Sequence, residues 1–270
     1  MKEAALIAWL AERRAVVIGF SGGVDSSYLA AVARATLGRD RVTAVLGISA
    51  SVPGAQADDA RATAERLDLG LVEIATDELA DPDYAANPSN RCYFCKRELW
   101  SRVAPVARSL PGATVCDGTN ADDRLDHRPG AIAAREQAVA SPLAEVGLTK
   151  AEIRRLSQLR GLPTWSQPSA PCLASRVRYG LPVTAERLAD VERAEAGVRA
   201  LGVAGDLRVR HHGDLARVEL AGDELSRWLA FEPAARLAGV VRQAGFTRVA
   251  VDLAGFRSGS LNVLHGITRA

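Results

Sequence analysis

Three scarcities set the first limits. Cysteine is rare: Cys92, Cys95, Cys116 and Cys172 are the only four, too few and too unevenly spaced for the disulfide framework of a secreted domain. Long apolar runs are missing, and none approaches the about 18 residues of a membrane span. The N-terminal apolar run 4–11 is bounded by Glu3 and by Glu12-Arg13-Arg14, with no small-residue cleavage site. That predicts a short amphipathic helix rather than a signal peptide. Excess charge of one sign is also lacking. The 34 basic and 32 acidic residues leave a net charge of +2, so no global field draws in nucleic acid and only a local basic patch stays open. Lysine is confined to Lys2, Lys96 and Lys150, so arginine carries the positive charge, a bias that reads as genomic base composition. These absences predict a cytoplasmic, reducing setting with neither a membrane nor a nucleic-acid partner.

What is present suits a folded chain. The 270 residues are 48% hydrophobic and 24% charged, ordinary globular values that exclude disorder, collagen and coiled coil. The length fits one large domain or two unequal ones. The continuously apolar run 15–20, whose character 42–49 repeats, predicts strands buried on both faces, and 71–75 and 113–116 are a third and a fourth strand-like run. Helical patterns at 26–37, 55–67 and 91–110 lie between them, which predicts crossover units and a parallel sheet. From about residue 181 the texture changes to a helix (187–201), two short strands (207–211 and 215–220) around Gly213-Asp214, a helix (223–244) and a last strand (249–253). This predicts a small α+β domain, joined through the Pro- and Ser-rich stretch 163–171.

Ser21-Gly22-Gly23-Val24-Asp25-Ser26-Ser27 follows the first strand directly and opens a helix. Such a turn presents backbone N–H groups at a helix N-terminus, where anions bind. Gly22 and Gly23 lack a Cβ, so the backbone can approach a phosphate and take positive φ. Ser21, Ser26 and Ser27 add hydroxyls. Asp25 is out of place beside an anion unless it holds a metal ion or orients the loop. No Gly-Lys-Ser/Thr ends the turn and no G-x-G-x-x-G begins it, so it is neither the ATPase phosphate loop nor the dinucleotide fingerprint. The alternative is a tight turn with a capping serine. A second loop, Cys116-Asp117-Gly118-Thr119-Asn120-Ala121-Asp122-Asp123, ends the fourth strand at the same carboxyl edge, where open α/β sheets collect ligands. Its Asp and Asn suit ribose, substrate or Mg²⁺, the alternative being a turn rich in Asx residues. Cys116 itself reads as a small buried strand residue.

Cys92-Tyr93-Phe94-Cys95 falls in the first turn of a helix capped by Ser89 or Asn90, with Arg91, Lys96 and Arg97 placed to lower the thiol pKa values. Cys172 lies in Ser169-Ala170-Pro171-Cys172-Leu173-Ala174-Ser175-Arg176. Three thiolates suit zinc, with His127, His211 or His212 as fourth ligand, or an iron–sulfur cluster with one open iron. An incidental pair and a redox disulfide are further alternatives. Alternation puts Arg208 and Arg210 on one strand face, where paired guanidiniums suit a nucleotide phosphate unless the face is merely solvated. The glutamates from Glu186 to Glu195 read as exposed helix charges.

SGGVDSS resembles the pyrophosphate loop of the PP-loop ATP pyrophosphatases, as does D-G-T-N in its own place. SGGVDSS, NRCYFCKRELW, CDGTNADD, PSAPCLASR, RVRHHGDLARVEL and VDLAGFRSGSLN together resemble the LarE family, the ATP-dependent sulfur transferases of nickel-pincer nucleotide synthesis, over residues 6–262. The resemblance implies a five-stranded, parallel, doubly wound sheet of the adenine nucleotide alpha hydrolase kind over residues 1–180, with a smaller α+β domain over 181–270. It implies ATP and Mg²⁺, adenylation of a carboxylate of pyridinium-3,5-biscarboxylate mononucleotide, release of pyrophosphate, and conversion to the thiocarboxylate. Ser21, Gly22, Gly23, Asp25, Ser26, Ser27, Gly118 and Asn120 would then bind the nucleotide, with Asp25 on Mg²⁺. Asp122 and Arg176 would join Cys172 in the catalytic site. Arg208, Arg210, Arg257 and Ser258 would take the substrate phosphate, while Glu219 and Asp252 would bind metal or hold the arginines.

The family has two sulfur sources: a single cysteine that gives up its own sulfur, and three cysteines holding a 4Fe–4S cluster whose free iron carries sulfide. Cys172 matches the first donor, and Cys92 and Cys95 match the extra pair of the second type. The resemblance therefore implies a 4Fe–4S cluster on Cys92, Cys95 and Cys172, an unidentified sulfur supplier and a homo-oligomer. Two rivals stand beside it: a PP-loop tRNA thiolase, disfavoured by the balanced charge and the lack of an appended RNA-binding module, and a non-catalytic nucleotide-binding module with a zinc or redox thiol site. An ammonia-dependent synthetase would leave the cysteines without a role.

Overall fold

The computed structural model describes residues 1–125, 129–168, 170–257 and 261. The chain divides into two compact units, the first comprising Met1–Glu78 and Asn90–Ala170, the second Leu79–Ser89 and the described residues from Pro171 onward. Residues 171–180, assigned from the sequence to the first domain, thus group with the second unit. The reason is visible in Asn87, whose buried side-chain amide donates to the carbonyls of Arg178 (2.9 Å) and Leu181 (2.8 Å).

The first unit is built on β1 (Ala15–Gly19), β2 (Val42–Ile48), β3 (Gly70–Ala75) and β4 (Ala113–Cys116), all parallel, in the order β3-β2-β1-β4. Val16, Val17 and Ile18 of β1 are all fully buried, worth about 1.5–3 kcal/mol each. Alternation sends Val16 and Ile18 to one face and Val17 to the other. On the first face they pack with Leu6, Leu10, Tyr28, Leu29 and Ile153; on the second, Val17 packs with Val45, Trp100, Val103 and Ala134. Helices therefore cover both faces, as the continuous apolar strands require. The expected fifth strand is reduced to a single parallel bridge at Ala140, which donates to Val115 (2.9 Å) and accepts from Asp117 N–H (2.9 Å). Pro142, two residues on, has no N–H to offer a ladder and opens the short helix Pro142–Glu145 instead.

The Arg91–Arg108 helix is seated on β1 by one close contact. A Cβ on Gly19 would lie 2.6 Å from Trp100 Cη2, so the indole rests directly against the strand backbone. Cys92 and Cys95 stand eight and five residues ahead of that anchor, about 12 and 8 Å along the axis.

In the second unit, β5 (Leu207–His211) and β6 (Leu215–Leu220) form the expected antiparallel hairpin, and β7 (Arg248–Val251) pairs parallel with β6. Gly213 takes φ +87° in the turn, a conformation that favours glycine. The Thr184 hydroxyl caps the Ala185–Ala200 helix by accepting from Arg187 N–H. The single helix expected over 223–244 is two, Leu225–Trp228 and Phe231–Gln243. Pro233 explains the break, because its ring would clash with the carbonyl of Leu229 in a continuous helix. Among the described residues no helix is long and apolar enough to cross a membrane.

His211 ends β5, and its carbonyl accepts from Arg178 N–H (3.1 Å), joining the strand to the segment after Cys172. Burial, then Arg187 and His212, push its pKa down to about 4. Folding therefore favours the neutral ring. Its contribution is complete above the unfolded value near 6.5 and is lost as pH falls toward 4. Between pH 6.5 and 4, urea titrations should show the wild type losing on the order of 2 kcal/mol more stability than His211→Gln. Parallel loss in both proteins would contradict this.

Candidate active site

A crossover helix runs back against its strands, so its N-terminus lies at the carboxyl edge of the sheet, where ligands of open α/β folds bind. Three segments reach that edge in the first unit: the loop after β1, the loop after β4, and the first turn of the Arg91–Arg108 helix.

The first loop is held close to its neighbours. Gly22 has φ +70°, and a Cβ there would sit 2.6 Å from Ala60 Cα in the Gly54–Arg66 helix, so only glycine fits. Gly23 is the N-cap of the Val24–Leu37 helix and supplies no capping side chain, leaving first-turn N–H groups for an anion. The hydroxyls of Ser21 and Ser26 pair at 3.2 Å, and Ser26 Oγ donates to Gly23 O at 3.2 Å. Ser27 is fully buried, and its Oγ lacks a hydrogen-bond partner.

Asp25 stands in the same turn. Its Oδ2 accepts from Lys150 Nζ, while Oδ1 is buried and without a partner. An orphaned carboxylate oxygen and a buried hydroxyl beside an uncapped helix start are a donor set fitted to Mg²⁺ and phosphate.

The second loop closes against the first. A Cβ on Gly118 would meet Ser26 N at 3.0 Å, so the two loops touch backbone to backbone. Asp117 accepts from Thr119 N–H (3.0 Å) and Thr119 Oγ1 (2.8 Å). Asn120 is buried, and its Oδ1 accepts from Asp122 N–H at 3.0 Å. Asp122 Oδ2 in turn accepts from Lys150 N–H at 2.8 Å. Asp25 and Asp122 thus meet at one residue, Lys150, held by its ammonium and by its backbone. Lys150 is absent from the residues singled out by sequence. The Thr149–Glu152 capping box makes the helix start legible, but not the residue it delivers 125 positions from Asp25.

Cys92 is exposed and Cys95 partly so, both in the helix first turn, where Asn90 is the N-cap without a side-chain hydrogen bond. Two of the three cations expected near these thiols pack on rings: Lys96 Nζ lies 5.6 Å from the Trp100 centroid and Arg97 5.2 Å from that of Phe94, while Arg91 is buried. Cys116 is fully buried, and burial pushes its thiol pKa well above the ordinary range, so it is an inert strand residue. His211 is equally structural, its Nδ1 accepting from Gly213 N–H at 3.2 Å. His127 and Ser169 lie outside the described residues. Within either unit, among the described residues, no group of three or more His, Cys, Asp or Glu gathers as for a metal ion.

The second unit holds a buried charge network. Arg210 Nε and Nη2 donate to Glu219 Oε2 (3.0 and 2.8 Å), and Arg217 Nη2 donates to Glu219 Oε1 (2.9 Å). Both oxygens of fully buried Glu219 therefore hold arginines, one of the two roles the sequence allowed it. Removing one partner of such a buried pair costs about 3–5 kcal/mol, which opposes lending Glu219 to a metal. Arg217 Nε also lies 3.8 Å from Asp252 Oδ2. Arg208 packs 5.1 Å from the Phe256 ring centroid, and burial, aided by Arg176 and Arg210, lowers its pKa to about 10. Crowded buried guanidiniums of this kind favour an anion. Arg257 is exposed, and Ser258 lies outside the described residues.

Arg176 is only 4% exposed. Its Nε and Nη2 donate to Glu195 at 3.0 and 3.1 Å, and its Nη1 to the carbonyls of Pro171 and Cys172. Glu195 is therefore a half-buried partner and not the exposed helix charge expected, a correction that follows from the helix face packing on the strand: its Oε1 also accepts from Val209 N–H in β5 (3.0 Å).

The NAD synthase family model matches residues 9–89, which span β1, its loop, β2 and β3. A component of the glutamine-hydrolyzing GMP synthase of Haloarcula marismortui is 28% identical over 73% of each chain. An uncharacterized protein of Synechocystis sp. is 43% identical over 246 residues, 91% of each chain. The pyridinium-3,5-bisthiocarboxylic acid mononucleotide synthase of Lactiplantibacillus plantarum is 35% identical over 261 residues, covering 97% of this chain and 94% of that protein. With a match of that extent, and with a sheet edge shaped for a nucleotide phosphate, the chain belongs to the LarE family of ATP-dependent sulfur transferases.

Proposed function

We propose that this chain activates a carboxylate of pyridinium-3,5-biscarboxylate mononucleotide with ATP and converts it to the thiocarboxylate. The observation that carries the reading is the gathering, at one edge of one sheet, of a glycine-lined phosphate loop, a carboxylate-bearing loop and a helix start bearing two thiols. The relative from Lactiplantibacillus plantarum, named for the bisthiocarboxylic mononucleotide, supports the substrate class.

A carboxylate oxygen attacks the α-phosphorus of ATP, the bond to the bridging oxygen breaks, and pyrophosphate leaves with that electron pair. The acyl-adenylate so formed carries AMP, a far better leaving group than the original oxygen. Main-chain N–H groups and hydroxyls of Ser21, Gly22, Gly23, Ser26 and Ser27 hold the departing pyrophosphate, where fixed donors act on developing charge. Asp25 would hold Mg²⁺, which would supply Lewis-acid neutralisation of the same charge. The Asp25–Lys150 pair is 22% and 35% exposed, so it is worth about 1 kcal/mol or less. Asp25 can therefore trade the ammonium for the metal, and Lys150 is released toward phosphate. Gly118 and Asn120 shape the nucleotide side of the edge, with Asp122 keeping Lys150 in place. Arg208, Arg210, Arg257 and Ser258 take the substrate phosphate.

For the sulfur, Cys92, Cys95 and Cys172 would hold a 4Fe–4S cluster, which would supply sulfide for the acyl carbon, AMP being the leaving group. The donor chemistry fits: none of the three thiols is in a disulfide, and Cys92 and Cys95 share a face of one helical turn.

Given ATP, Mg²⁺ and the pyridinium biscarboxylate mononucleotide, the protein should release AMP and pyrophosphate in equal amounts, and Asp25→Asn should slow release by roughly 10²-fold. Release of ADP and phosphate would overturn adenylation. Anaerobically isolated protein should contain about four irons per chain with matching acid-labile sulfide, both lost in Cys92→Ala. A colourless sample carrying one zinc would rule the cluster out.

A further inference from the structure

Beyond its proposed ligand role, Cys172 sits in a heavily tied turn of the second unit. The Cys172 carbonyl accepts from Ser175 N–H (3.0 Å), Ser175 Oγ (2.7 Å) and Arg176 Nη1 (3.0 Å). Arg176 also holds the Pro171 carbonyl. The other side of the same guanidinium makes a two-pronged pair with Glu195, whose side chain is 17% exposed against 5% for that of Arg176. Glu195 reaches on to Val209 N–H in β5, between Arg208 and Arg210. A second tie runs from Arg210 Nη1 to the Ser175 carbonyl at 3.2 Å.

From this we infer that Arg176 and Glu195 are positioning residues: they hold the Cys172 turn in register with the arginine-bearing strand, and Arg176 does not itself bind the substrate phosphate. The planar fork is the functional part. Arginine can grip a carboxylate with one edge and two carbonyls with the remaining nitrogen, whereas lysine offers a point charge without that geometry. A reacting group displaced by about 1 Å loses roughly 10²-fold in rate, so a loosened Cys172 turn would show in turnover before it showed in affinity. The inference rests on the proposed sulfur transfer for its kinetic arm and on the fold alone for its second arm.

Arg176→Lys and Glu195→Gln are the variants of choice, because Glu195→Ala would strand a buried guanidinium and endanger folding. Each should lower kcat for thiocarboxylate formation at least tenfold while leaving the KM for the mononucleotide within threefold. In hydrogen exchange followed by mass spectrometry, amides of the 173–177 peptide should exchange at least tenfold faster, with peptides over β1 unchanged. A raised KM at unchanged kcat in Arg176→Lys would assign Arg176 to the phosphate and overturn the inference. So would unaltered exchange over 173–177 in both variants. Should the wild type itself form no thiocarboxylate, the functional reading fails, and the exchange arm still judges the clamp.

Discussion

Backbone packed against backbone at the carboxyl end of β1 is the constraint on which the site depends. Gly22 lies so near Ala60, and Gly118 so near Ser26, that a side chain at either glycine would force the loops apart. That proximity lets the Val24–Leu37 helix begin without a capping side chain, its first N–H groups kept for a ligand. One anion at a helix start gains only about 0.3–2 kcal/mol. Under the proposed function, the hydroxyls, Lys150 and a metal on Asp25 would supply the rest of the hold on a polyphosphate. Asp25, out of place beside a phosphate on its own, brings the Lys150 ammonium to the loop, and in the proposed reaction it would take Mg²⁺.

The second unit solves a different electrostatic problem. Arg176, Arg208, Arg210 and Arg217 are brought together with Glu195, Glu219 and Asp252, largely out of water. Glu219 pairs with two of the guanidiniums and Glu195 with a third, and burial first, then Arg176 and Arg210, lowers the pKa of Arg208. Arg176 and Arg210 both bond to the Cys172 turn, and Arg208 packs on Phe256; the phosphate role of Arg208 and Arg210 belongs to the proposed function. Ion pairs this deeply buried add little net stability for the desolvation they require. Their use here is to fix geometry.

Much of this was legible from residue order. Apolar runs located the four parallel strands; β1 is buried on both faces as its unbroken pattern requires, whereas β3 is an edge strand with Val72 and Glu73 exposed. Gly213-Asp214 located the hairpin, and the SGGVDSS turn falls between strand and helix at the carboxyl edge of the sheet, as its context predicted. What escaped was partnership over distance. Periodicity could not tell that Glu195 faces Arg176 and Val209, since a glutamate on a helix reads the same whether it meets water or a guanidinium. Lys150 was noted only for the rarity of lysine, and its meeting with Asp25 is set by packing of helices far apart in sequence. Ala140 shows the converse, a fifth strand expected by resemblance but cut to one bridge by the proline that follows.

The central claim is that the edge of this sheet transfers AMP to a carboxylate oxygen. The direct measurement is to supply pyridinium biscarboxylate mononucleotide labelled with ¹⁸O in its carboxylates, and to analyse the phosphorus products by mass spectrometry after one turnover. The account predicts one ¹⁸O in the AMP and none in the pyrophosphate, because the labelled oxygen stays on the α-phosphorus when sulfur displaces it from carbon. Label in inorganic phosphate with unlabelled AMP would contradict it, since the carboxylate would then have attacked the outer phosphate.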